Sequence, residues 1–131
     1  MKILLFLIFF ISNLAFAEST IDYKKMHGNC WDDAQKKSNG RMTTGNLAAC
    51  AEGTSVEAKK EMNTLYKRLY KNLSESSPED ALKLEQSQKA WLIYRDKYCE
   101  LAGSQIGSPM YAVCPMDLNI QRVNELREFF N

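Results

Sequence analysis

VEAKKEMNTLYKRLYKNL, residues 56–73, carries apolar side chains at Met62, Leu65, Tyr66, Leu69, Tyr70 and Leu73, with lysine, arginine and glutamate between them. Steps of three and four residues put those side chains along one face of an α-helix. Elsewhere, apolar and polar residues do not alternate with period two over a useful length, and β-branched residues are sparse, so no strand is expected. The expected fold class is all-α: a small antiparallel bundle of three to four helices.

Toward the C-terminus, residues 72–78 interrupt the pattern with Ser74, Ser76, Ser77 and Pro78. Ser77 is expected to cap the next helix, with Pro78 in its first turn and Glu79 and Asp80 facing the positive end of the helix dipole. That helix is expected to run from 78 to about 101, aligning Ala81, Leu84, Gln88, Trp91, Arg95 and Cys99 on one stripe. Residues 102–109 contain glycine, serine and proline and read as a loop. A last helix is expected to begin near Asn119 as N-cap and to turn Val123, Leu126 and Phe130 inward. Toward the N-terminus, residues 22–37 suit a short helix stopped by Ser38-Asn39-Gly40. Short links between successive helices imply antiparallel neighbours.

The chain opens with Met1-Lys2, an unbroken apolar run from Ile3 to Ile11, and Ala15-Phe16-Ala17 before polar Glu18. A positive start, a short apolar run and a small-x-small exit describe a secretory signal. The run is well short of the roughly 20 residues that a membrane span needs. Residues 1–17 are therefore expected to be a cleaved signal peptide and residues 18–131 a single domain, periplasmic or secreted. No cysteine stands at the cut, so no lipid anchor is expected.

The chain has 17 lysines and arginines against 16 aspartates and glutamates, and Lys2 is the only charged residue in 1–17. Removing it leaves 16 of each sign and a formal net charge of zero. A nucleic-acid partner would call for a clustered positive excess. Zero net charge likewise supplies no long-range steering toward a charged partner.

Cys30, Cys50, Cys99 and Cys114 are an even set, all beyond the signal. In an oxidising compartment such a set forms disulfides. Zinc is disfavoured: there is no C-x-x-C, and His27 is the only histidine. Of three possible connectivities, Cys30–Cys50 and Cys99–Cys114 are expected, because each joins neighbouring elements across one loop.

An enzyme is not expected. Oxidised cysteines offer no thiolate, and His27 has no nucleophile beside it and is expected to be exposed. Asp32 and Asp33, adjacent on a helix, do not face each other. No glycine-rich phosphate loop occurs, and no cofactor or metal site is expected. Trp91 on the buried stripe reads as core. Gln88 and Arg95 on that stripe need partners: Arg95 a carboxylate or helix-end carbonyls, Gln88 a neighbouring helix. A ligand-binding role for them is the alternative.

Taken in order, Cys50, Glu61-Met62-Asn63 with Tyr66 and Leu69, the run Gln88-x-x-Trp91-x-x-Tyr94-Arg95-Asp96-x-x-Cys99, then Gly107-Ser108, Cys114 and Arg122-x-x-x-Leu126 resemble the LprI-type lysozyme inhibitor domain. The resemblance covers residues 30–126, and the run from Gln88 to Cys99 is its most specific part. Lys59 stands where the family tends to have an acidic residue, and Asn119 where it tends to have threonine.

The resemblance implies an exported, non-catalytic helical protein with a protein partner such as a lysozyme or muramidase. It makes Asn63, Tyr66, Gln88, Trp91, Tyr94, Arg95 and Asp96 the family's structural positions. An inhibitor is expected to insert a rigid loop into a carbohydrate cleft. Residues 102–113 are the candidate, with Ser104, Gln105, Ser108 and Tyr111 imitating sugar hydroxyls and stacking; a connector braced by a disulfide is the plainer alternative. A basic lysozyme would be met faster by an acidic face, which a balanced chain does not advertise. The competing class is another envelope protein-interaction module, such as an immunity protein against a delivered toxin or an accessory factor of envelope assembly.

Overall fold

The structure, a computed structural model, describes residues 20–130; the expected signal peptide lies outside them. Four α-helices follow one another: α1 Tyr23–Lys37, α2 Thr44–Ser76, α3 Pro78–Ile106 and α4 Met110–Arg127, with a closing 3-10 turn at Glu128–Phe130. No strand occurs among the described residues.

Asp22 caps α1 by accepting from the Lys25 N–H at 3.0 Å, and Lys36 and Lys37 sit in its last turn, where positive charge is favoured. Asn39 and Gly40 then adopt positive φ, 51° and 81°, which lets the Gly40 N–H return to the Gln35 carbonyl at 2.9 Å. Thr43 and Asn46 form a reciprocal capping box that starts α2.

That start lies twelve residues before the apolar repeat begins at Val56. Residues 44–55 are rich in Gly, Ala, Ser and Thr, so their apolar signal is weak, yet Ala51 and Thr54 are buried. Val56 itself is 52% exposed, while Met62, Leu65 and Leu69 are buried. Ser74 and Ser76 do not break the helix. Their hydroxyls donate back to the carbonyls of Tyr70 and Asn72 at 2.7 and 2.8 Å.

Ser77 alone separates α2 from α3, and it does not cap as expected. Its hydroxyl donates to the Asp80 carboxylate at 2.8 Å, and no side-chain cap bond forms. That bond, followed by Lys83, holds the Asp80 carboxyl below its usual range. Pro78 does occupy the first turn.

Cross-helix contacts fix the directions. Met62 meets Gln88, and Gln88 meets Arg122, so α2–α3 and α3–α4 run antiparallel. Ser55 meets Asn119 and Glu61 meets Arg127, so α4 lies parallel to α2. The main core draws Ala58, Met62, Leu65 and Leu69 from α2, Leu84 from α3, Val123 and Leu126 from α4, and Tyr23 from α1. A smaller core of Ala51, Ala112 and Met116 extends the α2–α4 seam. Phe130 packs on the main core with the Arg68 guanidinium 4.0 Å from its ring centre.

Both disulfides form as expected, Cys30–Cys50 with Cα atoms 5.6 Å apart and Cys99–Cys114 at 5.4 Å. The expected loop at 102–113 is not one. Helix α3 continues to Ile106, and α4 begins at Met110, leaving a turn of Gly107, Ser108 and Pro109. Gly107, at φ 128°, makes so abrupt a reversal feasible. Asn119 is correspondingly no N-cap; it is buried in the middle of α4. Pro115 stands inside that helix without stopping it, since the disulfide at Cys114 and the burial of Ala112 and Met116 hold both sides against the bundle. No described helix is long and apolar enough to cross a membrane.

Candidate functional site

The motif residues of α3 meet α4 in one polar-aromatic cluster. Gln88 is buried: its amide oxygen accepts from Arg122 Nε at 3.0 Å, and its amide nitrogen faces Met62 Sδ at 3.7 Å. Arg122 also reaches Glu125 at 2.8 Å and the Ser87 hydroxyl at 3.3 Å. One turn further along α3, Trp91 is half-buried, with the Arg95 and Arg122 guanidinium carbons 5.4 and 5.8 Å from its ring centre. Such placements attract the cation to the indole's electron-rich face.

Arg95 completes the group. It donates to the Asp96 carboxylate at 2.6 Å and to Asn119 Oδ1 at 3.0 Å, and Asn119 Nδ2 donates to Ser55 Oγ at 2.9 Å. Three helices are thus tied by one chain of hydrogen bonds, with every polar group at the buried positions paired. Gln88 bonds to a neighbouring helix and Arg95 to a carboxylate. Trp91 sits at the edge of the core rather than within it.

The other motif positions are scattered. Tyr66 is half-buried and stacks on Tyr70 with ring centres 5.9 Å apart; burial raises its pKa. Tyr94 is exposed and stacks on Tyr98 at 5.5 Å, and Asn63 is exposed on α2. Ser104 and Gln105 lie on the last turn of α3, Ser108 in the turn, and Tyr111 on the first turn of α4, all exposed. Arg122 and Asn119 are the two participants whose importance the sequence understated, because isolated polar residues carry no periodic signal.

A second network fastens α1. The Tyr23 hydroxyl donates to Glu61 at 2.5 Å, and Arg127 grips the same carboxylate at 2.8 and 2.9 Å. Burial first, and the Glu61 contact second, drive the Tyr23 pKa well above its ordinary value. His27 is half-buried rather than exposed. Its Nε2 is buried without a hydrogen-bond partner, beside a cavity of about 780 Å³ that it shares with Asp117. Burial raises the Asp117 pKa.

Chemically, these arrangements hold and display side chains. Among the described residues no group of three or more His, Cys, Asp or Glu side chains is placed to hold a metal. No curated protein and no solved structure matches the chain. The model of the family described as Lysozyme inhibitor LprI matches residues 32–126, which include α2, α3 and nearly all of α4, and with them the whole Gln88–Trp91–Arg95–Asn119–Arg122 cluster. By that match the chain belongs to the LprI lysozyme inhibitor family.

Proposed function

We propose that the chain is exported, loses residues 1–17, and acts in the periplasm or outside the cell as a non-catalytic inhibitor of a lysozyme or muramidase. The observation that carries this reading is the family match across residues 32–126. Two disulfides suit an oxidising location.

The contact element we favour is the α3–α4 hairpin end. Ser104, Gln105, Ser108 and Tyr111 project from helix termini and a three-residue turn, and Cys99–Cys114 braces the stems. A preformed projection loses little conformational freedom when it enters a cleft. With no net charge to steer it, binding rests on shape and short-range hydrogen bonds.

The test is residual lysis of a cell-wall suspension by lysozyme, with purified residues 18–131 in excess. Lysis should fall as protein is added. Undiminished lysis at micromolar protein would remove this function.

A further inference from the structure

We propose that the groove between α2, α3 and α4 beside Tyr111 binds one pyranose ring of a neutral glycan. The groove, of about 360 Å³, is lined by Glu52, Ser55 and Lys59 from α2, by Arg95 and Asp96 from α3, and by Tyr111 and Asn119 from α4. Its volume lies at the lower end of small-ligand sites, which suits a single ring.

The charges decide between ligand classes. Glu52 and Asp96 stand with Lys59 and Arg95 in the lining, which therefore carries two charges of each sign and no net charge. A phosphate or an ammonium ion would find as much repulsion as attraction. A neutral ligand with many hydroxyls finds donors and acceptors side by side.

Geometry adds a stacking face. The Tyr111 ring is 56% exposed, yet one side lies so close to Gly103 that a Cβ there would collide with the ring. Glycine at 103 therefore lets the ring lie against α3, at the edge of the groove. Pro115, also lining the groove, has no N–H to give the Tyr111 carbonyl one turn earlier, so that carbonyl lacks its usual helical donor. Arg95 is fixed in advance by Asp96 and Asn119, its side chain only 12% exposed. An aromatic face beside preset planar polar groups matches the alternating C–H and O–H surfaces of a pyranose.

The experiment titrates isotope-labelled residues 18–131 with the N-acetylglucosamine trisaccharide and, separately, with maltotriose, following amide and side-chain resonances. No lysozyme is present, so the outcome is independent of the lysis assay. Binding by either sugar should shift Tyr111, Ser55 and the Asn119 side-chain amide, and the stronger binder identifies the glycan type. Tyr111→Ala should weaken binding about tenfold, the loss of roughly one stacking contact, while Tyr111→Phe should retain it within about threefold. Gly103→Ala, which displaces the ring without removing it, should weaken binding with the helical content unchanged. Affinity should hardly vary between about 0.05 and 0.3 M salt, because no net charge is neutralised. Absence of shifts with both sugars at about 5 mM, where even millimolar binding is visible, would overturn the proposal. So would shifts confined to another face, or a steep salt dependence.

Discussion

Arg95 Nη1 donates to Asn119 Oδ1 at 3.0 Å, and the same asparagine passes a hydrogen bond to Ser55 at 2.9 Å, so one buried side chain joins three helices. Asn119 is 2% exposed and replaces with side-chain partners the water it gave up. Removing it leaves a guanidinium nitrogen and a hydroxyl short of a partner.

Asn119→Ala should therefore destabilise the fold by about 2–3 kcal/mol, as expected when a buried network loses its centre. Urea unfolding followed by helical circular dichroism measures it. A loss below about 0.5 kcal/mol, typical of surface changes, would mean the network is not structural. Asn119→Thr, the residue the family tends to carry, should recover part of the loss.

Trp91→Ala should cost about 2 kcal/mol rather than the roughly 3–5 kcal/mol of a fully enclosed ring, because only part of the indole is buried. Trp91→Phe should cost less than Trp91→Ala. In a Trp31→Phe background, which leaves Trp91 as the remaining tryptophan, the intrinsic fluorescence should also respond to Arg122→Ala, which removes one of the two flanking cations.

Tyr23 supplies a pH signature. Its folded pKa is raised above the unfolded value near 10, so between those two values the unfolded chain has released a proton that the folded chain keeps. The unfolded state binds fewer protons there, and stability falls as pH rises past about 10. Tyr23→Phe lacks that ionisation and also loses the hydrogen bond to Glu61. It should be less stable than the parent by about 1 kcal/mol at neutral pH, and the gap should close as pH climbs above 10. A constant gap would contradict the Tyr23–Glu61 geometry.

The disulfides should differ in reactivity. Cys30 is exposed, whereas Cys50, Cys99 and Cys114 are each at most 4% exposed. A dithiol reductant under native conditions should open Cys30–Cys50 first, since access limits thiol attack. Alkylation and peptide mapping should find label at Cys30 and Cys50 while Cys99–Cys114 is intact. Equal labelling of all four would mean that the α3–α4 end opens as readily as α1.

Several features were legible in the residues because they are local. The 3–4 spacing of Met62, Leu65 and Leu69 marks a buried helical face in any helix that contains it. Asp22 and Ser38-Asn39-Gly40 bound α1 through cap and left-handed turn chemistry that acts within a few residues. Cysteine number and order, with the helix order, were enough to favour the observed pairing.

What the residues understated is the reach of each helix. Residues 44–55 and 102–106 are rich in small or polar side chains, so they carry little periodic apolar signal, yet the Thr43–Asn46 capping box, packing on α4 and the Cys99–Cys114 brace keep them helical. Ser74, Ser76 and Pro115 read as breakers, yet back-bonded hydroxyls and a flanking disulfide keep the helices running through them. The exposed loop expected at 102–113 thus became a braced helical hairpin.

Local residue patterns settled the helical class, favoured the observed cysteine pairing over two others and carried the run from Gln88 to Cys99 that marks the family, since propensity and periodicity act over short distances. Tertiary structure alone decided that Asn119 and Arg122 complete that motif, that Trp91 sits between two guanidinium groups, and that Tyr111 lies against Gly103 beside a charge-balanced groove. The hydrogen bonds among them join residues far apart in the chain, Arg95 with Asn119 across 24 positions and Gln88 with Arg122 across 34. Their pairing depends on how three helices settle against one another, and single residues do not carry that information.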